Sequence, residues 1–224
     1  MPLVRTAEIV DDAVARGSAA AAMNVVQLEG VTAVVEGAER AGLPVVLAIS
    51  ENAVRYHGAL APLALAALAA ARAAAVPVSV HLDHATRHEL VQEAVALGLS
   101  SAMVDASALD YAANVAATAA AASTCRAAGV WVEAELGEVG GKDGVHAAGA
   151  RTDPDEARRF VASTGVDALA VAVGTSHKMV DRTATLDLDL LRRLADAVDP
   201  RGYLGTGRAV MAAEVERLLR VVSG

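Results

Sequence analysis

Pro77–Ser107 reads PVSVHLDHATRHELVQEAVALGLSSAMVDAS, and the order of residue types within it decides the fold. Pro77–Leu82 is short, β-branched and apolar on both faces; Arg87–Leu97 is a longer helix-forming stretch; Ser101–Asp105 is again short and apolar. Strand, helix, strand in that order is a βαβ unit, whose strands run parallel and are buried on both sides.

The same alternation continues in both directions. Strands are expected near Ala20–Val25, Pro44–Ser50, Gly129–Glu135 and Ala168–Val173, giving six in all. Helices are expected over Leu28–Ala41, Ala61–Ala75, Tyr111–Ala128, Asp155–Thr164 and Leu188–Ala197, with a last one from about Arg208 to Val222. The helix at Asp155 has a legible start: Asp153 can cap it, Pro154 fits its first position, and Asp155 and Glu156 meet the positive end of its dipole. Repeated βα units make the fold class α/β with a parallel sheet. No Pro/Ser-rich linker or low-complexity tail interrupts the pattern, so residues 1–224 are read as a single domain.

Composition and charge narrow the function. With 54% hydrophobic residues and a mean hydropathy of +0.40 the chain can build a core, which excludes intrinsic disorder. Its net charge of −8 repels a phosphate backbone, so nucleic acid is not the expected ligand. A single cysteine, Cys125, cannot close an internal disulfide and fits a reducing, cytoplasmic compartment. The alanine-rich stretches are broken by Arg, Glu or Gly before the roughly 20 apolar residues a membrane span requires, so no membrane partner is expected. The N-terminal MPLVRTAEIVDDAVARG has no long apolar region, so no secretory leader is expected either.

The unusual polar residues fall at the C-terminal ends of the expected strands: Asn24, Ser50, Asp83 with His84, Asp105 with Ser107, Glu133 with Glu135, and Gly174-Thr175-Ser176-His177. That rim is where parallel α/β folds build active sites, although turns and helix caps also favour Asn, Asp and Ser there. His81-Leu82-Asp83-His84 admits two readings. It is either a zinc-ligating turn with a carboxylate placed for acid–base work, or a buried histidine hydrogen-bonded to the adjacent Asp. Glu133 and Glu135 are two apart on one strand and share a face, so two carboxylates aimed into a barrel call for a cation. His57, in the loop after the second strand, reads as a surface position with substrate contact as the alternative, His88 and His146 read as solvated loop or helix positions, and Trp131 as packing at the bottom of the barrel.

Taken together, HLDHATRHEL, SSAMVDAS, VEAELGEVGGKDGV, RTDPDEARRFVASTGVDALAVAVGTSHK and LDLDLL resemble the class II fructose-bisphosphate aldolases, with the tagatose-bisphosphate aldolases close by. The likeness begins near AMNVVQLEG, keeps order and spacing to about Val198, and resumes in DPRGYLGTGRAVMAAEVERLL. It implies a TIM (β/α)8-barrel and the reversible cleavage of a ketohexose bisphosphate to dihydroxyacetone phosphate and glyceraldehyde 3-phosphate. It further implies catalytic zinc on His84 and His177, with Asp83 as the acid/base serving the aldol hydroxyl. Asp105 and Glu135 resemble the family's second metal position, and a second divalent ion or a monovalent cation goes with it. Asn24, Ser50 and Ser107 match polar positions near substrate, Lys178 stands where a phosphate is approached, and Asp143 is the carboxylate available to move a proton at the three-carbon ketone. The partners implied are a phosphorylated sugar and further copies of the chain, as a dimer or larger homo-oligomer.

One departure from the family is large. Where a seventh and eighth strand should follow, Val198 runs straight into Asp199-Pro200-Arg201-Gly202-Tyr203, which matches the family's extreme C-terminus. The expectation is therefore an incomplete barrel of about six βα units plus a C-terminal helix, with an internal deletion at about 198/199. No histidine lies beyond His177 to act as a third zinc ligand. An alternative function is thus a catalytically inactive homologue that only binds metal or oligomerises. A Schiff-base aldolase is disfavoured, because the only lysines, Lys142 and Lys178, both fall in expected loops.

Overall fold

The computed structural model describes residues 2–136, 151–174 and 185–198. The apolar runs lie side by side as β1 (Ala22–Asn24), β2 (Val45–Ser50), β3 (Val78–Ala85), β4 (Ser101–Val104), β5 (Trp131–Glu135) and β6 (Ala168–Ala170). They form one sheet in the order β1-β2-β3-β4-β5-β6, every neighbouring pair parallel. Sequential order with parallel pairing is the winding of a TIM barrel, and the six strands make a curled half-barrel.

Eight helices accompany the strands among the described residues: α1 (Thr6–Ala15), α2 (Leu28–Ala41), α3 (Glu51–His57), α4 (Ala61–Ala73), α5 (His88–Leu97), α6 (Tyr111–Ala127), α7 (Pro154–Thr164) and α8 (Leu188–Val198). The caps explain several of their starts. Asp153 Oδ1 accepts from Glu156 N at 2.8 Å at the head of α7, with Pro154 in its first turn, as the sequence indicated. Asp110 Oδ1 does the same for Ala113 N at the head of α6, at 2.9 Å.

Alternation along the strands sorts their side chains. Val78, Val80 and Leu82 of β3 join Leu47 and Ile49 of β2 in the apolar core, together with Leu63 and Leu68 of α4 and Leu90 and Val91 of α5. Ser79, His81 and Asp83 alternate with them and so face the other side of the sheet. There His81 Nδ1 lies 2.8 Å from Ser101 Oγ, which meets Thr6 Oγ1 at 2.6 Å. Burial and the nearby His84 drive the His81 pKa down to about 4, so this buried ring is neutral.

Two helices depart from the sequence reading, which left Thr6–Ala15 and Glu51–His57 without regular structure. α1 is short but buries Thr6, Ile9 and Ala13 on one stripe, and Glu8 Oε1 accepts from Arg5 N at 3.2 Å to close its start. α3 follows β2 with no loop, because Ser50 ends the strand and caps the helix in one residue, its Oγ accepting from Ala53 N at 3.2 Å. The expected strands at Ala20–Val25 and Ala168–Val173 are shorter than read, and β3 is longer. The expected last helix (Arg208–Val222) and the far side of the 198/199 join lie outside the described residues. Among the described residues no single helix is long and apolar enough to cross a membrane.

Candidate metal centre

Three adjacent strands end at one place. β3 carries an irregularity in its register with β4 between Leu82 and Ala85, and His84 sits within it at φ 50°, the one non-glycine residue with positive φ among those described. A left-handed residue inside a bulge breaks strict alternation and re-aims its side chain, a strained arrangement typical of functional sites. His84 Nδ1 consequently stands 3.0 Å from Asp105 Oδ2, just past β4, and 3.6 Å from Glu135 Oε2, at the end of β5. Each of the three residues offers a ligand atom, and these atoms all lie within 4.8 Å of one another.

Local hydrogen bonds hold the cluster. Asp105 Oδ1 accepts from Ser107 N at 3.1 Å and from Ser107 Oγ at 2.6 Å, leaving Oδ2 turned to His84. A carboxylate oxygen only accepts, so His84 carries its proton on Nδ1. That hydrogen bond, donated to Asp105, pushes the His84 pKa up to about 9 against the opposing effect of burial, with the charges of Asp83, Asp105 and Glu135 adding to it. Burial alone would raise Asp105, but its bonds from His84 and Ser107 prevail and hold it down to about 2. Glu133, deeper on the same face of β5, is pushed up to about 7 by burial and by the carboxylates of Asp83 and Glu135.

One imidazole and two carboxylates form a donor set that fits a divalent transition metal such as zinc. The excess of carboxylates around His84 gives the same result electrostatically, since it stabilises positive charge at this point.

His84, Asp105 and Glu135 come together, and Asp83 is near enough to act electrostatically on both His84 and Glu133. Asp83 is level with Ser50 in the β2–β3 register, so Ser50 is on the same rim while capping α3. Ser107 meets Asp105. Asn24 ends the exposed edge strand β1, level with Ala48 and hence with His81, two strands from the cluster. Asp143, His177 and Lys178 lie outside the described residues. Gly174, the last described residue before His177, has φ 124°, and an added Cβ would collide with Thr185 O, so only glycine fits.

Sequence reading missed two buried residues that support the strand ends. Glu51, buried at the start of α3, accepts from Thr86 N at 2.6 Å, Thr86 Oγ1 at 2.9 Å and Arg87 Nε at 3.1 Å, pinning the turn that follows His84 and Ala85. Asn114 of α6 reaches the end of β5. The available signal was a pair of polar residues four apart, Asn114 and Thr118, within an otherwise alanine-rich helix.

Comparison with known proteins agrees with this architecture. A family model described as fructose-bisphosphate aldolase class-II matches residues 4–220. The chain is 39% identical over 221 residues to the fructose-bisphosphate aldolase of Thermus caldophilus, covering 96% of this chain and 72% of that one. It is 40% identical over 221 residues to the probable fructose-bisphosphate aldolase of Bacillus subtilis, covering 97% and 78%. The crystal structure of the YdjI aldolase from Escherichia coli K12 superposes with a TM-score of 0.76 at 32% identity, over 88% of this chain and 70% of that one. A half-barrel that gathers imidazole and carboxylates on its C-terminal rim, with a family match along nearly its whole length, belongs to the class II fructose-bisphosphate aldolase family of lyases.

Proposed function

We propose that this chain is a metal-dependent aldehyde-lyase that cleaves a ketohexose bisphosphate, fructose or tagatose 1,6-bisphosphate, to dihydroxyacetone phosphate and glyceraldehyde 3-phosphate. The observation that carries the proposal is the meeting of His84, Asp105 and Glu135 beside Asp83 on the barrel rim. His84 and His177 hold the catalytic zinc in this reading, and Asp105 and Glu135 give it a second position. An ion held there would supply Lewis-acid polarisation of the ketose carbonyl. Asp83 takes the proton of the hydroxyl as the carbon–carbon bond breaks and the aldehyde leaves. The electron pair remains on the three-carbon fragment, and Asp143 delivers a proton to that carbon. Asn24, Ser50 and Ser107 orient the sugar, and Lys178 meets a phosphate. The protein works in the cytoplasm as a dimer or larger homo-oligomer, its single domain shortened between Val198 and Asp199.

A second reading, a metal-binding homologue without turnover, is favoured by one observation. Residues 178–224 contain no histidine, where the resemblance would place a third zinc ligand. One experiment separates the two: cleavage of both bisphosphates by the zinc-loaded full chain, compared with Asp83→Ala. The enzyme reading expects zinc-dependent turnover that Asp83→Ala lowers about 10²- to 10⁴-fold at unchanged zinc content. Zinc uptake with cleavage at background establishes the second reading, and loss of zinc in Asp83→Ala makes that residue a ligand.

A further inference from the structure

α6 is rich in alanine, yet two of the five residues it buries are polar and lie one turn apart. Asn114 is 1% exposed and Thr118 0% exposed. A buried primary amide without partners is costly, so its bonds account for its presence. Asn114 Nδ2 donates to Glu135 O at 3.1 Å and to Leu136 O at 3.0 Å, and Thr118 Oγ1 donates to Asn114 Oδ1 at 2.9 Å. Carbonyl oxygens only accept, so the atom facing them is the amino nitrogen; Oδ1 is then the atom turned to Thr118, and the amide has one orientation.

Successive carbonyls of an extended strand point to opposite sides, so a single nitrogen cannot reach two in a row while the strand continues. It reaches both here because the backbone leaves the sheet at Leu136. The ladder has thinned at this point: β5 is paired with β4 as far as Ala134↔Val104 and with β6 as far as Glu135↔Ala170. Asn114 takes over where the strand partners stop. The residue whose carbonyl it holds is Glu135, whose carboxylate stands 3.6 Å from His84 Nδ1. The other cluster members are fixed otherwise, His84 by its bulge and Asp105 by Ser107.

We propose that Asn114, oriented by Thr118, is a positioning residue of the metal centre, setting the backbone of Glu135 so that its carboxylate meets the ion together with His84 and Asp105. The inference rests on the reading of this cluster as a metal site. Residues one step behind a metal ligand typically change affinity about 10- to 100-fold when removed.

The test is a titration of Co²⁺ alone into the chelator-stripped full chain, below the melting temperature of each variant, with affinity from chelator competition and geometry from the visible absorption of the bound ion. Wild type and His84→Ala come first, since absence of tight binding in wild type, or equal binding in His84→Ala, overturns the metal reading itself. With that reading intact, Asn114→Ala should weaken Co²⁺ about 10- to 100-fold and alter its absorption. Thr118→Val should shift both in the same direction by less, and Thr118→Ser should return affinity to within about twofold of wild type. Unchanged affinity and spectrum in Asn114→Ala and Thr118→Val, whatever their melting temperatures, would make the pair a packing feature of α6 and overturn the inference. If Asn114→Ala does not fold, the comparison of Thr118→Val with Thr118→Ser decides alone.

Discussion

Glu51 shows how one side chain couples two parts of the molecule. It ends up 5% exposed, in the first turn of α3, where the helix dipole favours an anion, and its carboxylate gathers three donors from Thr86 and Arg87. Burial would raise its pKa, but these bonds and the Arg87 charge prevail and lower it. A carboxylate with a depressed folded pKa adds stability that is fully present above its ordinary value and is lost as pH falls through the depressed one. Glu51→Gln should therefore cost about 1–3 kcal/mol at neutral pH, through lost charge-assisted bonds. In thermal melts of the metal-free protein the gap to wild type should be full at neutral pH and close as pH falls below the ordinary carboxylate range, through the depressed Glu51 value. A gap independent of pH would show that the ionised form contributes nothing. The same comparison explains what a sequence reveals at this scale. Asp83, His84, Asp105 and Glu135 were legible because each ends an apolar strand and because they occur in motifs. Glu51 and Asn114 were not, because the donors from Thr86 and Arg87 and the carbonyls of Glu135 and Leu136 that they meet stand far along the chain, which no local pattern encodes.

At the scale of elements, alternating apolar runs were enough to place six parallel strands and most helices, since burial on both faces leaves a clear mark. α1 and α3 escaped notice for a physical reason: both are short, and α3 has no connecting loop to announce it. The end of β6 is held by contacts a strand pattern does not predict. Thr152 N donates to Ala172 O and Ala172 N to Thr152 Oγ1, while Asp187 N donates to Val173 O at 2.7 Å. Thr185 and Asp187 thereby pack against the turn at Gly174. Gly174→Ala should cost at least about 2 kcal/mol, from its φ and from the collision with Thr185 O, and should lower the melting temperature accordingly. An unchanged melt would mean that this turn is not held as described.

For the molecule as a whole, β1 and β6 are the outer strands of the sheet among the described residues. β1 is exposed at all three of its residues, and Met23, Val26 and Leu28 present apolar surface beside it. Exposed apolar edges invite association. Light scattering should find concentration-dependent self-association, reduced by Met23→Lys with Val26→Lys; a monomer at all concentrations would contradict this.

The central claim is that His84, with Asp105 and Glu135, holds the ion that a ketohexose bisphosphate lyase uses. The direct measurement is the cleavage rate, with metal content per chain, for wild type and His84→Ala after chelation and after zinc is restored. The account predicts that wild type loses cleavage on chelation and regains it with zinc, whereas His84→Ala neither retains the ion nor recovers. Cleavage that survives chelation, or a His84→Ala variant equal to wild type in rate and zinc content, would contradict it.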